Sequence, residues 1–213
     1  VDLTAVFESG LTFFGQTFSG LYVNTNGSVT FAQPLASFTP FAITAGATAG
    51  LFAFFADVDT STGPASVSPG GTSTGANRVW YDVDATLDRV TITWDDVGYH
   101  SDGVDRTSAF QIILEDASAQ DRRAAGDFNI MFRYENVNWT TGDDSGGEGG
   151  LGGTVARAGW TAGVDGAFFE LPQSGDQAGM LALESTPGNT GVPGVWWWEV
   201  ANGEIPVAVS VSA

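Results

Sequence analysis

Hydrophobic and polar positions alternate with a period of two along much of this chain, the mark of strands that bury one face and wet the other. The cleanest stretch is 127–135, where Phe128, Ile130, Phe132 and Tyr134 alternate with Asn129, Met131, Arg133 and Glu135. Residues 110–114 form its expected hairpin partner. Arg78–Val83 and Arg89–Trp94 repeat the pattern across a tight connection at 84–88, with Val90, Ile92 and Trp94 on one face. Leu21–Val23 and Ser28–Phe31 flank a turn containing Asn26-Gly27, a hairpin signal because that dipeptide tolerates positive φ. Val155–Thr161 and Ala167–Leu171 read as a strand pair around a turn at 163–166, and Val195–Val200 as the closing strand. Its three adjacent tryptophans cannot all point inward, so Trp197 is expected on the opposite face. Residues 1–18 supply one or two edge strands, and 34–50 a crossing loop plugged by Phe38 and Phe41. Only 174–184 reads as helix, capped by Ser174 or Asp176. The pattern predicts an all-β, antiparallel β-sandwich-like domain with long Gly-rich loops and at most one or two short helices. It occupies 1–204, with 205–213 a linker or the lead into a following segment.

One stretch breaks the alternation. Leu51, Phe52, Phe54 and Phe55 have no polar residue between them, which predicts a strand buried on both faces, and Asp57 and Asp59 follow directly. In extended chain the two carboxylates leave on one side, an arrangement that is costly unless a cation or protons neutralise it. A hard cation such as Ca²⁺ suits an all-oxygen set; turn capping by the same two side chains is the alternative. Asn24 and Asn26 are further oxygen donors, with turn chemistry as their default. Ser61–Ala76, made almost wholly of small polar residues, is expected to be a mobile excursion, and the polar stretch 95–108 to hold a turn around His100. Trp139–Gly153 is expected to be the most flexible segment. There Asp143, Asp144 and Glu148 repel one another unless a cation organises them, and the spacing does not fit an EF-hand loop.

Charge narrows the partners. Twenty-five acidic residues face seven basic ones, all Arg, for a net charge of -18. Such a surface repels phosphate backbones and anionic headgroups, so nucleic-acid and membrane-surface partners are not expected. It attracts divalent cations, and it also serves solubility. No cysteine is present, which removes disulfides, thiolate nucleophiles and zinc ribbons and leaves Ca²⁺ as a means of stiffening loops. No apolar run reaches the roughly 20 residues of a membrane-spanning helix. The start at Val1 fits a removed signal or a segment of a longer secreted chain. A hydrolase reading would use Asp95, Asp96 and His100, yet no Gly-x-Ser-x-Gly elbow, HExxH or P-loop accompanies them. A carbohydrate-binding reading would use exposed Trp80, Trp139, Trp160 or Trp197, for which core packing is the default.

In their order and spacing, the segments LYVNTNGSVTF (21–31), FFADVDT (54–60), VTITWDDV (90–97), FQIIL (110–114), FRYENVNW (132–139), AGWTAG (158–163), FELPQS (169–174) and 194–200 resemble the NIDO, or nidogen-like, domain. The resemblance spans about residues 12–200. It implies a mainly β fold and a noncatalytic extracellular or cell-surface module of adhesion and matrix proteins, with a protein or glycan ligand outside the cell. The family's acidic pair matches Asp57 and Asp59, which favours them over Asp143, Asp144 and Glu148 as Ca²⁺ ligands. The lack of cysteine and the acidic surface set this chain apart from animal members and suggest a bacterial secreted version.

Overall fold

The computed structural model of the chain describes residues 1–163 and 167–206. Its strands are β1 (Leu11–Phe13), β2 (Gln16–Phe18), β3 (Tyr22–Asn24), β4 (Ser28–Thr30), β5 (Gly50–Phe55), β6 (Val58–Asp59), β7 (Arg78–Asp84), β8 (Arg89–Tyr99), β9 (Gly103–Asp116), β10 (Phe128–Val137), β11 (Gly147–Glu148), β12 (Leu151–Gly152), β13 (Arg157–Thr161), β14 (Phe168–Glu170) and β15 (Val195–Val200). All their pairings are antiparallel. One sheet runs β15-β10-β9-β8, with β7 and β6 pairing successive stretches of β8; the other runs β14-β13-β5-β4-β3. Two small hairpins, β1-β2 and β11-β12, stand apart. The alternating segments place their apolar faces between the two sheets: Ile92 and Trp94 of β8, Phe110 and Ile112 of β9, and Ile130 and Phe132 of β10 are all buried. Trp94 ties the layers together by donating its indole N–H to the Thr25 carbonyl at 2.8 Å.

The continuous apolar run of β5 has a specific cause. Opposite β13 the strand carries one extra residue, a bulge that switches which side chains face which way. Leu51 and Phe54 join the inter-sheet core, while Phe52 and Phe55 pack with Ile43 under the crossing loop. Phe41 plugs that loop edge-on against Phe55, with ring centroids 4.9 Å apart. Phe38 does not take the same role; it is exposed.

Elsewhere the fold corrects the sequence reading. The polar stretch 95–108 is mostly strand, since β8 runs to Tyr99 and β9 starts at Gly103 with register shifts after Trp94 and Val97, and the expected turn around His100 is confined to 100–102. The only α-helix among the described residues is Gln177–Leu181, shorter than expected and capped by Asp176, which accepts from the Gly179 N–H at 2.7 Å. Trp197 faces away from the buried Trp196 and Trp198, as the alternation requires. Most of the expected turn at 163–166 and residues 207–213 lie outside the described residues. Within the expected linker, Ile205 is buried in the core.

Neither polar loop is a loose excursion. Residues 68–75 are held against the six-stranded sheet by three carboxylates. Glu135 accepts from the N–H groups of Thr72 and Ser73 at 2.8 and 2.9 Å. Asp95 accepts from the Thr74 N–H at 2.7 Å, and Asp96 from the Gly75 N–H at 2.8 Å and from the Ser68 hydroxyl. The glycine-rich stretch 139–153 is built on the fully buried Trp139, whose indole donates to the Val97 carbonyl at 2.9 Å. Thr140 and Thr141 then both donate to the Gly150 carbonyl, at 2.8 and 3.1 Å, which closes β11-β12.

Candidate functional site

The acidic residues singled out in the sequence collect where β6, the β8–β9 turn and the 140–148 loop meet. The chain leaves β5 at Ala56, and Asn26 clamps the exit by accepting from the Val58 N–H at 3.0 Å. Asn24 accepts from the Leu35 N–H at 2.9 Å, so both asparagines serve turn and loop structure rather than the acidic cluster. The Asp57 carbonyl accepts from the His100 N–H at 2.9 Å, fixing the β8–β9 turn beside it. Gly142 closes the other side so tightly that a Cβ there would lie 2.7 Å from both the carbonyl oxygen and Oδ2 of Asp57.

Asp57 and Asp59 differ sharply in role. The oxygens of Asp59 are in use: Oδ1 accepts from the Ser61 N–H and hydroxyl at 2.7 and 2.6 Å, and Oδ2 from the Asp102 N–H at 3.2 Å. Partial burial disfavours its charge, but these donors outweigh burial and hold its carboxyl below the ordinary range. Asp59 therefore caps the turn. Asp57 is only 3% exposed, and its Oδ2 is buried with no hydrogen-bond partner. Burial pushes its carboxyl up; His100 and the Asp144 backbone N–H oppose this shift, while the Asp144 and Asp59 carboxylates reinforce it.

On the rim above Asp57, His100 Nε2 lies 3.8 Å from Asp144 Oδ2, and His100 Nδ1 is buried without a partner. Asp143 and Asp144 form a single 3₁₀ turn that Gly146 ends at φ 81°, and both are exposed. Glu148 is also exposed, on β11, and is not among the groups acting on Asp57. The structure thus brings Asp57, Asp59, His100 and Asp144 to one edge. Among the described residues no three carboxylate or imidazole groups converge closely enough to form a ready-made metal shell. The donor chemistry is that of a hard-cation site, but the spacing as it stands does not enclose an ion.

Most of the other candidates fall away for structural reasons. Asp95 and Asp96 are buried and turned onto the 68–75 loop, so neither is placed to exchange protons with a substrate beside His100. Trp139 and Trp160 are buried; Trp80 is 55% exposed. The unpartnered Asp57 oxygen and its approach to His100 and Asp144, residues distant in sequence, carried no local sequence signal.

Residues 19–202 match the family described as the nidogen-like domain, and the chain belongs to that family. It is 32% identical over 216 residues to nidogen of Drosophila melanogaster and 32% identical over 215 residues to human alpha-tectorin, covering 91% and 92% of this chain. It is 28% identical over 202 residues, 90% of the chain, to dendrite extension defective protein 1 of Caenorhabditis elegans. The chain spans only 14%, 9% and 16% of these relatives. No solved structure matches it. Nidogen and tectorin are extracellular matrix proteins, in keeping with the extracellular address expected from the sequence, and no described helix is long and apolar enough to cross a membrane.

Proposed function

We propose that this chain is a noncatalytic interaction module of an extracellular protein, of the version carried by secreted bacterial proteins, and that Ca²⁺ stiffens its acidic rim at Asp57. The observation that carries the cation is the buried, unpartnered Asp57 Oδ2 facing the exposed Asp144. A buried carboxylate oxygen without a donor costs about 1–3 kcal/mol, and a cation removes that cost more fully than a neutral donor does. Water and the exposed Asp144 would supply the remaining positions, since Asp59 is engaged in capping its turn. The absence of cysteine gives loop stiffening by an ion a purpose, and fits a bacterial source. A noncatalytic role is supported by Asp95 and Asp96 being occupied as loop anchors and by the character of the relatives.

The test is thermal unfolding in EDTA and in about 10 mM Ca²⁺. For dissociation constants of about 10⁻⁴ to 10⁻³ M, the ion adds about 1.4–2.7 kcal/mol, a rise of roughly 3–10 °C. Asp57→Asn abolishes this rise. The sign with pH is definite. Because the folded-state pKa of Asp57 is raised, its contribution to the stability of the ion-free protein is present below the unfolded pKa and lost as pH rises through the folded value. In EDTA, wild type therefore loses stability relative to Asp57→Asn as pH rises from about 3.9, whereas the Ca²⁺ increment grows over the same interval. A melting temperature indifferent to Ca²⁺ at pH 7 removes the ion from this reading.

A further inference from the structure

On the face of the six-stranded sheet that points away from the core, β7, β8, β9 and β10 place Trp80, Thr93, Gln111 and Arg133 side by side in one row. Three interstrand spacings separate Trp80 from Arg133, about 14 Å. The row from Thr93 to Arg133 floors a groove of about 370 Å³, walled by the 72–74 loop and by Pro193. That volume falls in the range of small-molecule sites, and the lining mixes hydroxyl, amide, guanidinium and carboxylate groups with a smaller apolar share from residues such as Pro193 and Val195.

The groove is built, not incidental. Its two carboxylates, Asp95 and Glu135, keep their charge but are turned onto the N–H groups of the 72–74 wall and not onto the Arg133 guanidinium. Among the described residues Arg133 makes no ion pair, although the chain has an excess of acidic groups. Gln111 is already oriented, donating to the Thr93 hydroxyl at 2.8 Å, and the Ser73 hydroxyl is buried without a partner in the wall. Trp80 does not line the groove; it lies one strand beyond Thr93 in the same row and is largely exposed.

We infer that this groove binds a saccharide carrying an isolated carboxylate, a sialyl or uronyl sugar. The exposed Trp80 ring stacks on a sugar face, Gln111 and Ser73 exchange hydrogen bonds with ring hydroxyls, and the Arg133 fork takes the carboxylate. A guanidinium meets a planar carboxylate bidentately, which a neutral sugar cannot match. The net charge of -18 selects further, since the field of the whole chain opposes long polyanions and tolerates a single acidic group placed against Arg133. A peptide is disfavoured because the lining offers few apolar subsites for its side chains. The inference rests on reading the chain as a binding module and is independent of the cation at Asp57.

The experiment is calorimetric titration of the whole chain with sialyllactose, a glucuronyl disaccharide, lactose and a glutamate-containing tripeptide. At least one acidic sugar is expected to bind about tenfold more tightly than lactose, the size of one charge-assisted interaction. Arg133→Gln erases that difference, and Trp80→Ala weakens acidic and neutral sugars alike. Tyr81→Ala, an exposed aromatic on the opposite face of β7, leaves binding unchanged and controls for folding. Equal affinity for lactose, tighter binding of the tripeptide, an unaffected Arg133→Gln variant, or no binding of any acidic sugar at millimolar concentration overturns the inference. Cleavage of a bound sugar would leave the groove standing and defeat the noncatalytic reading instead.

Discussion

Gly27→Ala is expected to destabilise the domain by about 3 kcal/mol or more, lowering its melting temperature by roughly 10 °C. Two costs add at this position. Gly27 has φ 78°, a left-handed conformation that costs an L-residue about 1–2 kcal/mol. A Cβ there would also overlap the Phe54 carbonyl oxygen, a backbone atom that cannot swing aside. The close approach exists because Gly27 and Phe54 are bonded to each other, the Phe54 N–H donating to the Gly27 carbonyl at 3.1 Å. Gly15 separates the two costs: its φ is 76°, but nothing lies within 4 Å of the position of its missing Cβ. Gly15→Ala should therefore lose only about 1 kcal/mol. Urea unfolding of both variants checks this, and equal losses would mean that the contact between the hairpin turn and β5 contributes nothing.

The hairpin holding Gly27 was readable in the sequence, and the reason marks the limit of that reading. Asn26-Gly27 and the alternation from Phe128 to Tyr134 are local signals, set by the φ of one residue or by the pleat of one strand. The hairpin pairings and the inward faces followed from such signals, whereas the order of the strands in each sheet did not. What escaped depended on partners distant in sequence. Asp95 and Asp96 look like loop residues because charge is rarely buried; they sit within β8 because the N–H groups of Thr74 and Gly75 satisfy them. The Ser61–Ala76 loop looked unattached for the same reason. Asp57 and Asp59 looked equivalent, since spacing alone puts them on one side. Only Ser61 and the approach of Asp102 assign the capping role to Asp59, while Oδ2 of Asp57 has no partner.

Trp139→Ala tests whether the acidic rim depends on the core, and its expected cost is about 3–5 kcal/mol, that of emptying a fully buried indole site. The ring meets Phe54 edge-on with centroids 5.2 Å apart, and Gly150 packs against its Cβ with no room for a side chain. The loop's glycines are thus not a sign of looseness. Gly150 at φ 83° lets the chain lie against the indole and turn its carbonyl back to Thr140 and Thr141. That fold places Gly142 against Asp57 and Asp144 beside His100. Removing the indole should therefore lower the global melting temperature and also abolish the Ca²⁺-dependent rise, although Trp139 touches no carboxylate of the rim. Trp139→Phe retains most of the buried area but leaves the buried Val97 carbonyl without its donor, so it should keep the Ca²⁺ response at a cost of about 1–3 kcal/mol. Should Trp139→Ala remain folded and respond to Ca²⁺ as wild type does, the rim is organised by its own turn and not from the core beneath it.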